Sequence, residues 1–253
     1  MSTSPLPVSM QPWVSYQEMQ NSAIVLYDIA AYYLPLYGLS CRNFFNFYPT
    51  LGFVEALIYQ HEIDIESLNA GEGSQKAWAF RKKLISDLLQ GQQLEHPRIR
   101  QYLDEVGEYF ELAQKMGHND LITHHDVVRA AELRPSDIRL LHAILVCMLD
   151  KSFDEQIFDL LWPLEVSLEI KANLTEYAAD LVTGHHNTYR MFVKLYGEEA
   201  PGYLEAEQKR WQSTLQERLI LVSVDNQQLI KDFMSCHEQD YPSVSIPPIV
   251  QEA

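Results

Sequence analysis

Apolar residues recur three and four positions apart along most of this chain, and residues that would interrupt the pattern are few. Only 10 of 253 residues are glycine, and the 12 prolines fall mostly at the ends or between periodic segments. β-Sandwiches and barrels need frequent turn residues, so the pattern predicts helices. The first segment runs from Tyr16 to Tyr37, with Ile24, Tyr27, Ala31 and Leu34 on one face. A second, from about Phe44 to Asn69, is closed by Gly71-Glu72-Gly73, after which Ser74 reads as the N-cap of a helix through Gln90. His96-Pro97 opens a helix to about Met116, and Pro135-Ser136-Asp137 opens another through Leu149. Asp154 to Thr183 is a long helix bent at Pro163 and stopped at Gly184. Asn187 to Tyr196 is short and basic, and Pro201 leads a final long helix to about Leu221. Pro242, Pro247 and Pro248 make the tail an irregular coil. The expectation is an all-α fold, with one helical-bundle domain over residues 15–236 between irregular segments at 1–14 and 237–253.

Composition narrows the function classes. With 47% of residues hydrophobic, the chain can bury a large core. It carries 35 acidic against 19 basic residues, a net charge of −16, which repels nucleic-acid backbones and anionic membranes. Cys41, Cys147 and Cys236 lie far apart and form no CxxC pair, so a reducing, cytoplasmic setting is expected rather than a disulfide framework. The first residues lack the basic and apolar regions of a signal peptide, and no apolar run is long enough for a membrane span.

The acidic residues are not spread evenly. Glu62 and Glu66 are four apart, with Glu55 two turns earlier, and Glu169, Glu176 and Asp180 repeat the same offsets of seven and four. Like charges at this spacing destabilise an isolated helix slightly. A divalent cation between two such faces reverses that sign, and carboxylates are suited to Mg²⁺. Plain solvated acidic faces are the simpler account of the same spacing.

The run from Ala172 to Asn187 resembles the second metal motif of class I terpene synthases, whose pattern is Asn-Asp-Leu-x-Ser-x-x-x-Glu followed by Gly and then His-Asn. Leu174, the acidic Asp180, Gly184 and His186-Asn187 carry the resemblance. Upstream, His61-Glu62-Ile63-Asp64-Ile65-Glu66 is similar to a degraded form of the family's aspartate-rich first motif. The chain departs from the pattern at Ala172, which replaces a ligand Asn, at Glu176, which replaces Ser or Thr, and at His61, which replaces the first Asp. The resemblance covers about Phe44 to Tyr196, and only its second motif is specific. It implies an isoprenoid-synthase-like helical bundle and a Mg²⁺-assisted ionisation of an allylic isoprenoid diphosphate. Glu62, Glu66, Glu176 and Asp180 are then the metal ligands, and Arg134, Arg190 and Lys194 the donors to the leaving diphosphate, with Arg139 an alternative to Arg134. Aromatic residues between Tyr27 and Tyr59 would line a prenyl pocket.

Two other readings use the same residues differently. Loss of the motif residues at Ala172 and His61 fits a non-catalytic all-α protein of the same fold. His124-His125-Asp126 invites comparison with HD-type metal phosphohydrolases, although an Asp near a helix start needs no metal to explain it. His185-His186, just past the long helix, reads as exposed, and Cys147 reads as core.

Overall fold

The computed structural model describes residues 14–67, 72–117, 121–183, 186–240 and 244–250, with the backbone alone at 65–67 and 72–75. Every regular element among them is helical. The helices are α1 (Tyr16–Asn21), α2 (Ala23–Asp28), α3 (Tyr48–Ser67), α4 (Glu72–Gly91), α5 (Pro97–Gly117) and α6 (His124–Leu133). They continue with α7 (Ser136–Met148), α8 (Glu155–Thr183), α9 (Thr188–Tyr196), α10 (Ala200–Leu219) and α11 (Val224–Asp240). None is long and apolar enough to cross a membrane.

α7 lies at the centre. Leu140 to Val146 are buried without exception, because α3 and α5 pack on it and the turn after α2 closes over it. α8 continues through Pro163, which has no N–H to give the carbonyl four residues back. That carbonyl, on Asp159, instead accepts from Arg218 Nη1 of α10. The Arg218 guanidinium lies 4.9 Å over Trp162, and Trp162 meets Trp211 edge-on at 5.3 Å. A defect in one helix thus becomes the docking point of another.

At the other end of α7, Arg139 Nε donates to Glu165 Oε2 at 2.8 Å, and the Tyr33 hydroxyl donates to Glu165 Oε1 at 2.7 Å. The three buried groups join the N-terminal turn, α7 and α8. Losing one partner of such a pair strands the other, at a cost of about 3–5 kcal/mol.

Three expectations need correction. Tyr16 to Tyr37 is not one helix: after α2 it widens into a π-helical turn (Ile29–Tyr33) and tightens into a 3-10 turn (Leu34–Tyr37). Each change of pitch rotates the face, so Leu26, Ile29, Tyr32 and Tyr33 are buried while Ile24 and Tyr27 are exposed. Gly38, at φ +71°, ends the turn in the left-handed region that glycine enters without strain. Second, α4 begins at Glu72, so Ser74 lies inside its first turn. Third, α11 continues through Asp240, past the expected end of the domain at 236, and buries Ile230, Phe233 and His237. Cys147 is half-buried, and none of the three cysteines is bridged.

Candidate functional site

The corner between α6 and α7 is two residues long, Arg134-Pro135, and it turns the Arg134 side chain toward α5 and α8. Arg134 Nη1 donates to Asp137 Oδ2 at 3.1 Å, its Nε lies 3.7 Å from Glu169 Oε1, and its guanidinium sits 5.4 Å over Tyr109. Burial works against its charge, but Tyr109, Glu169, Glu62 and Asp137 outweigh it and hold the guanidinium charged. Beside it is a space of about 10 Å³ bounded by Tyr59 and Glu62 of α3, Tyr109 and Phe110 of α5, Arg134 and Asp137. That is room for one water.

Glu55, two turns before Glu62, is fully buried, and neither of its carboxylate oxygens has a hydrogen-bond partner. Burial, then the nearby Asp137, raises its carboxyl well above the usual carboxylate range against the opposing pull of Arg134. Glu169 is raised by burial, with Arg134 again opposing. Acids from α3, α7 and α8 therefore share one arginine, and protonation of the buried ones relieves their mutual repulsion.

The expected ligands divide among different jobs. Glu62 borders the space beside Arg134. The side chain of Glu66 lies outside the described residues. Glu176 is exposed, within the electrostatic reach of Glu169. Asp180 is buried and its Oδ2 accepts from Asn187 Nδ2 at 2.7 Å. The same Nδ2 donates to the Asn173 carbonyl at 2.7 Å, while Asn187 Oδ1 caps α9 by accepting from the N–H groups of Tyr189 and Arg190. Asn173 completes the clamp: its Oδ1 accepts from Thr188 N at 2.7 Å and its Nδ2 donates to Glu169 Oε1 at 2.8 Å. The motif-like residues of α8 thus bind α9 and hold Glu169 in line with Arg134.

Arg190 and Lys194 lie on α9 along a separate groove of about 470 Å³ that they share with Tyr177, Leu181, Ile249 and Val250. Their charges act on His186, as does that of Arg134. Upstream, His61 is buried against Trp78 and Phe110, with Arg81 Nη1 3.4 Å from its Nδ1, while Arg81 also pairs with Asp64. These residues of the first acidic run join α3 to α4. Arg139, the alternative sensor, is occupied by Glu165. Asp126 caps α6 through Thr123 and binds Lys115 at 2.8 Å, which holds its carboxyl at about 2.

Sequence reasoning misplaced His186. It is not exposed: both ring nitrogens are buried without a hydrogen-bond partner, and the ring meets Tyr109 edge-on at 5.9 Å. Burial first, then Arg134, Arg190 and Lys194, lowers it to about 3. Asp137 was also missed as a site residue, although its position three after Arg134 on a helical turn was a usable signal. Among the described residues, no three His, Cys, Asp or Glu side chains are gathered closely enough to hold a metal ion as they stand. Comparison with protein-family models, with curated proteins and with solved structures gives no match.

Proposed function

We propose that the chain processes an isoprenoid diphosphate, with Arg134 binding the anion and carboxylates of α3 and α8 recruiting Mg²⁺ to it. The observation that carries this reading is the convergence of Glu55 and Glu62 from α3 and Glu169 from α8 on one arginine. The donors suit the ion: all are carboxylate oxygens, and Glu55 has two buried ones without partners. Glu62, Glu169 and Glu176 are the residues that would hold it. Asp180 serves instead to fix α9, since Asn187 occupies it. When bound, Mg²⁺ supplies charge neutralisation for the departing diphosphate. The residues of the chain do the rest. Arg134 donates to the diphosphate oxygens, Asn173 orients Glu169, and Tyr59, Tyr109 and Phe110 present apolar ring faces to the organic part. A prenyl chain does not fit in 10 Å³, so the reading requires α3 and α5 to part at Tyr59 and Tyr109 when substrate enters.

That small volume also favours a second reading, a non-catalytic helical protein in which Arg134 is the hub of a structural ion cluster. One experiment separates the two. Purified protein is given geranyl, farnesyl or geranylgeranyl diphosphate, with and without Mg²⁺, and diphosphate release is followed. The first reading expects Mg²⁺-dependent release from at least one substrate, reduced about 100-fold or more in Glu62→Gln and Arg134→Ala. No release from any of the three, by a protein shown to be folded, leaves the second.

A further inference from the structure

We infer that His186 is the proton acceptor that ends the reaction, so that the product is a hydrocarbon rather than an alcohol; this rests on the isoprenoid-diphosphate reading. The starting point is an anomaly among the histidines. His142 shares a hydrogen bond with the Tyr37 hydroxyl at 2.6 Å, His124 with the Tyr196 hydroxyl at 2.9 Å, and His96 accepts from the Arg98 N–H at 3.2 Å. A core histidine ordinarily satisfies its ring this way. Among the described residues His61 and His237 each leave one ring nitrogen buried without a hydrogen bond, and His186 leaves both. Its place is not accidental, because the next residue, Asn187, is fixed by the carbonyl of Asn173, by Asp180 and by the first turn of α9. The clamp holds the ring edge-on to Tyr109, which also meets Arg134 and Phe110 and borders the space beside Arg134.

The chemistry balances without a further reactant. The allylic C–O bond breaks and its electron pair leaves on the diphosphate, giving an allylic cation. A C–H bond next to the cation then breaks, its electron pair becomes a C=C bond, and the proton goes to the lone pair of the His186 ring. The imidazolium afterwards passes that proton to the departing diphosphate or to water. Among the described residues no hydrogen bond occupies the ring's lone pair.

The surrounding cations make this base conditional. Arg134, Arg190 and Lys194 all disfavour a proton on His186 in the free protein. A diphosphate bound at Arg134 offsets the Arg134 part of that field. Burial first, then these cations, keeps the ring neutral in the free protein, and an anion at Arg134 shifts it toward accepting a proton.

Two measurements test the inference. In the first, wild type and His186→Gln are compared for diphosphate release and, by gas chromatography with mass spectrometry, for hydrocarbon and alcohol products. The hydrocarbon-to-alcohol ratio among the products should fall about 100-fold. The second keeps the question answerable if the variant does not fold: ring ¹⁵N spectra of wild type, alone and with Mg²⁺ plus geranyl or farnesyl S-thiolodiphosphate. The His186 signals should report a neutral ring alone and move toward the imidazolium when the analogue binds. No release of diphosphate by the wild type sinks the functional reading and the inference with it. Release accompanied by an unchanged product ratio, by alcohol alone in the wild type, or by unmoved His186 signals sinks only the inference.

Discussion

Two neighbouring regions of the molecule treat buried polar groups in opposite ways. At the α8–α9 junction, Asn187 makes four hydrogen bonds through one amide, and Asn173 and Asp180 are both satisfied by it or its neighbour. Around Arg134, Glu55 has two unpaired oxygens and His186 two unpaired nitrogens, all buried. Each such group costs about 1–3 kcal/mol when left dry. A fold that pairs Asn187, Asn173 and Asp180 at one junction leaves the residue next to it, His186, without a hydrogen-bond partner among the described residues. The first region is built to hold the chain together, and the second carries polar groups whose partners must come from outside it.

The sharpest way to break this contrast is Asn187→Ala. The change removes the α9 cap, worth about 1 kcal/mol, and strands the Asn173 carbonyl and the Asp180 carboxylate, so a loss of about 3 kcal/mol is expected. For a chain of this size that is a fall in melting temperature of about 6–12 °C. A fall of less than about 2 °C would show that the clamp is not structural, and Asp180 would return to the candidate metal ligands.

Acid unfolding tests the other region. His186 is lowered from an ordinary 6.5 to about 3, so the unfolded chain binds the proton first. Its contribution is fully present above about 6.5 and is lost as pH falls from there toward 3. In His186→Gln the stability lost per unit of pH in this window should shrink, by at most about 1.4 kcal/mol per pH unit. Urea unfolding at several pH values measures it. Equal slopes in variant and wild type would mean that His186 is already solvated or paired, which erases the contrast. His142, lowered to about 3 by burial and Arg98, titrates in the same direction and is unchanged in both proteins.

How far these regions could be read in the sequence follows from how local their causes are. α5 and α7 were legible because Pro97 and Pro135-Ser136 mark their starts and their apolar spacing is regular. α11 was not, because its buried residues Ile230, Phe233 and His237 are few and follow an exposed apolar run at Ile220, Leu221 and Val224. The misread face of α1 and α2 has a different cause: the π-helical turn that follows shifts the register, and no residue type announces it. In the site, Glu62 and Arg134 stood out by type and order. The burial of His186 depends on α9 folding back through Asn187, a contact that leaves no local pattern. Asp180 and Asn187, two residues of the motif-like run, are joined by a hydrogen bond that places both in the clamp with Asn173.

Asp180→Asn refines the first side of the comparison. The asparagine Oδ1 can still accept from Asn187 Nδ2, so this bond loses its charge assistance, about 1 kcal/mol. If the clamp is all that Asp180 does, any Mg²⁺-dependent diphosphate release survives the change; its abolition in a folded variant would make Asp180 a ligand as well.

The smallest expected effect belongs to Glu55→Gln, and its sign is the informative part. The raised carboxyl of Glu55 means that the folded protein keeps a proton the unfolded chain has released. Its contribution is fully present below about 4.5 and is lost as pH rises through the folded-state value. Glutamine is a neutral, near-isosteric substitute for the protonated acid. At pH 5 the variant should therefore match the wild type within about 0.5 kcal/mol, and at pH 8 it should be as stable or more so. Paired thermal scans at the two pH values decide it. A variant weaker by about 2 kcal/mol at pH 8 would mean that Glu55 is an ionised, well-partnered carboxylate in the resting protein. The two regions would then obey the same rule, and Glu55 would no longer stand open to a ligand.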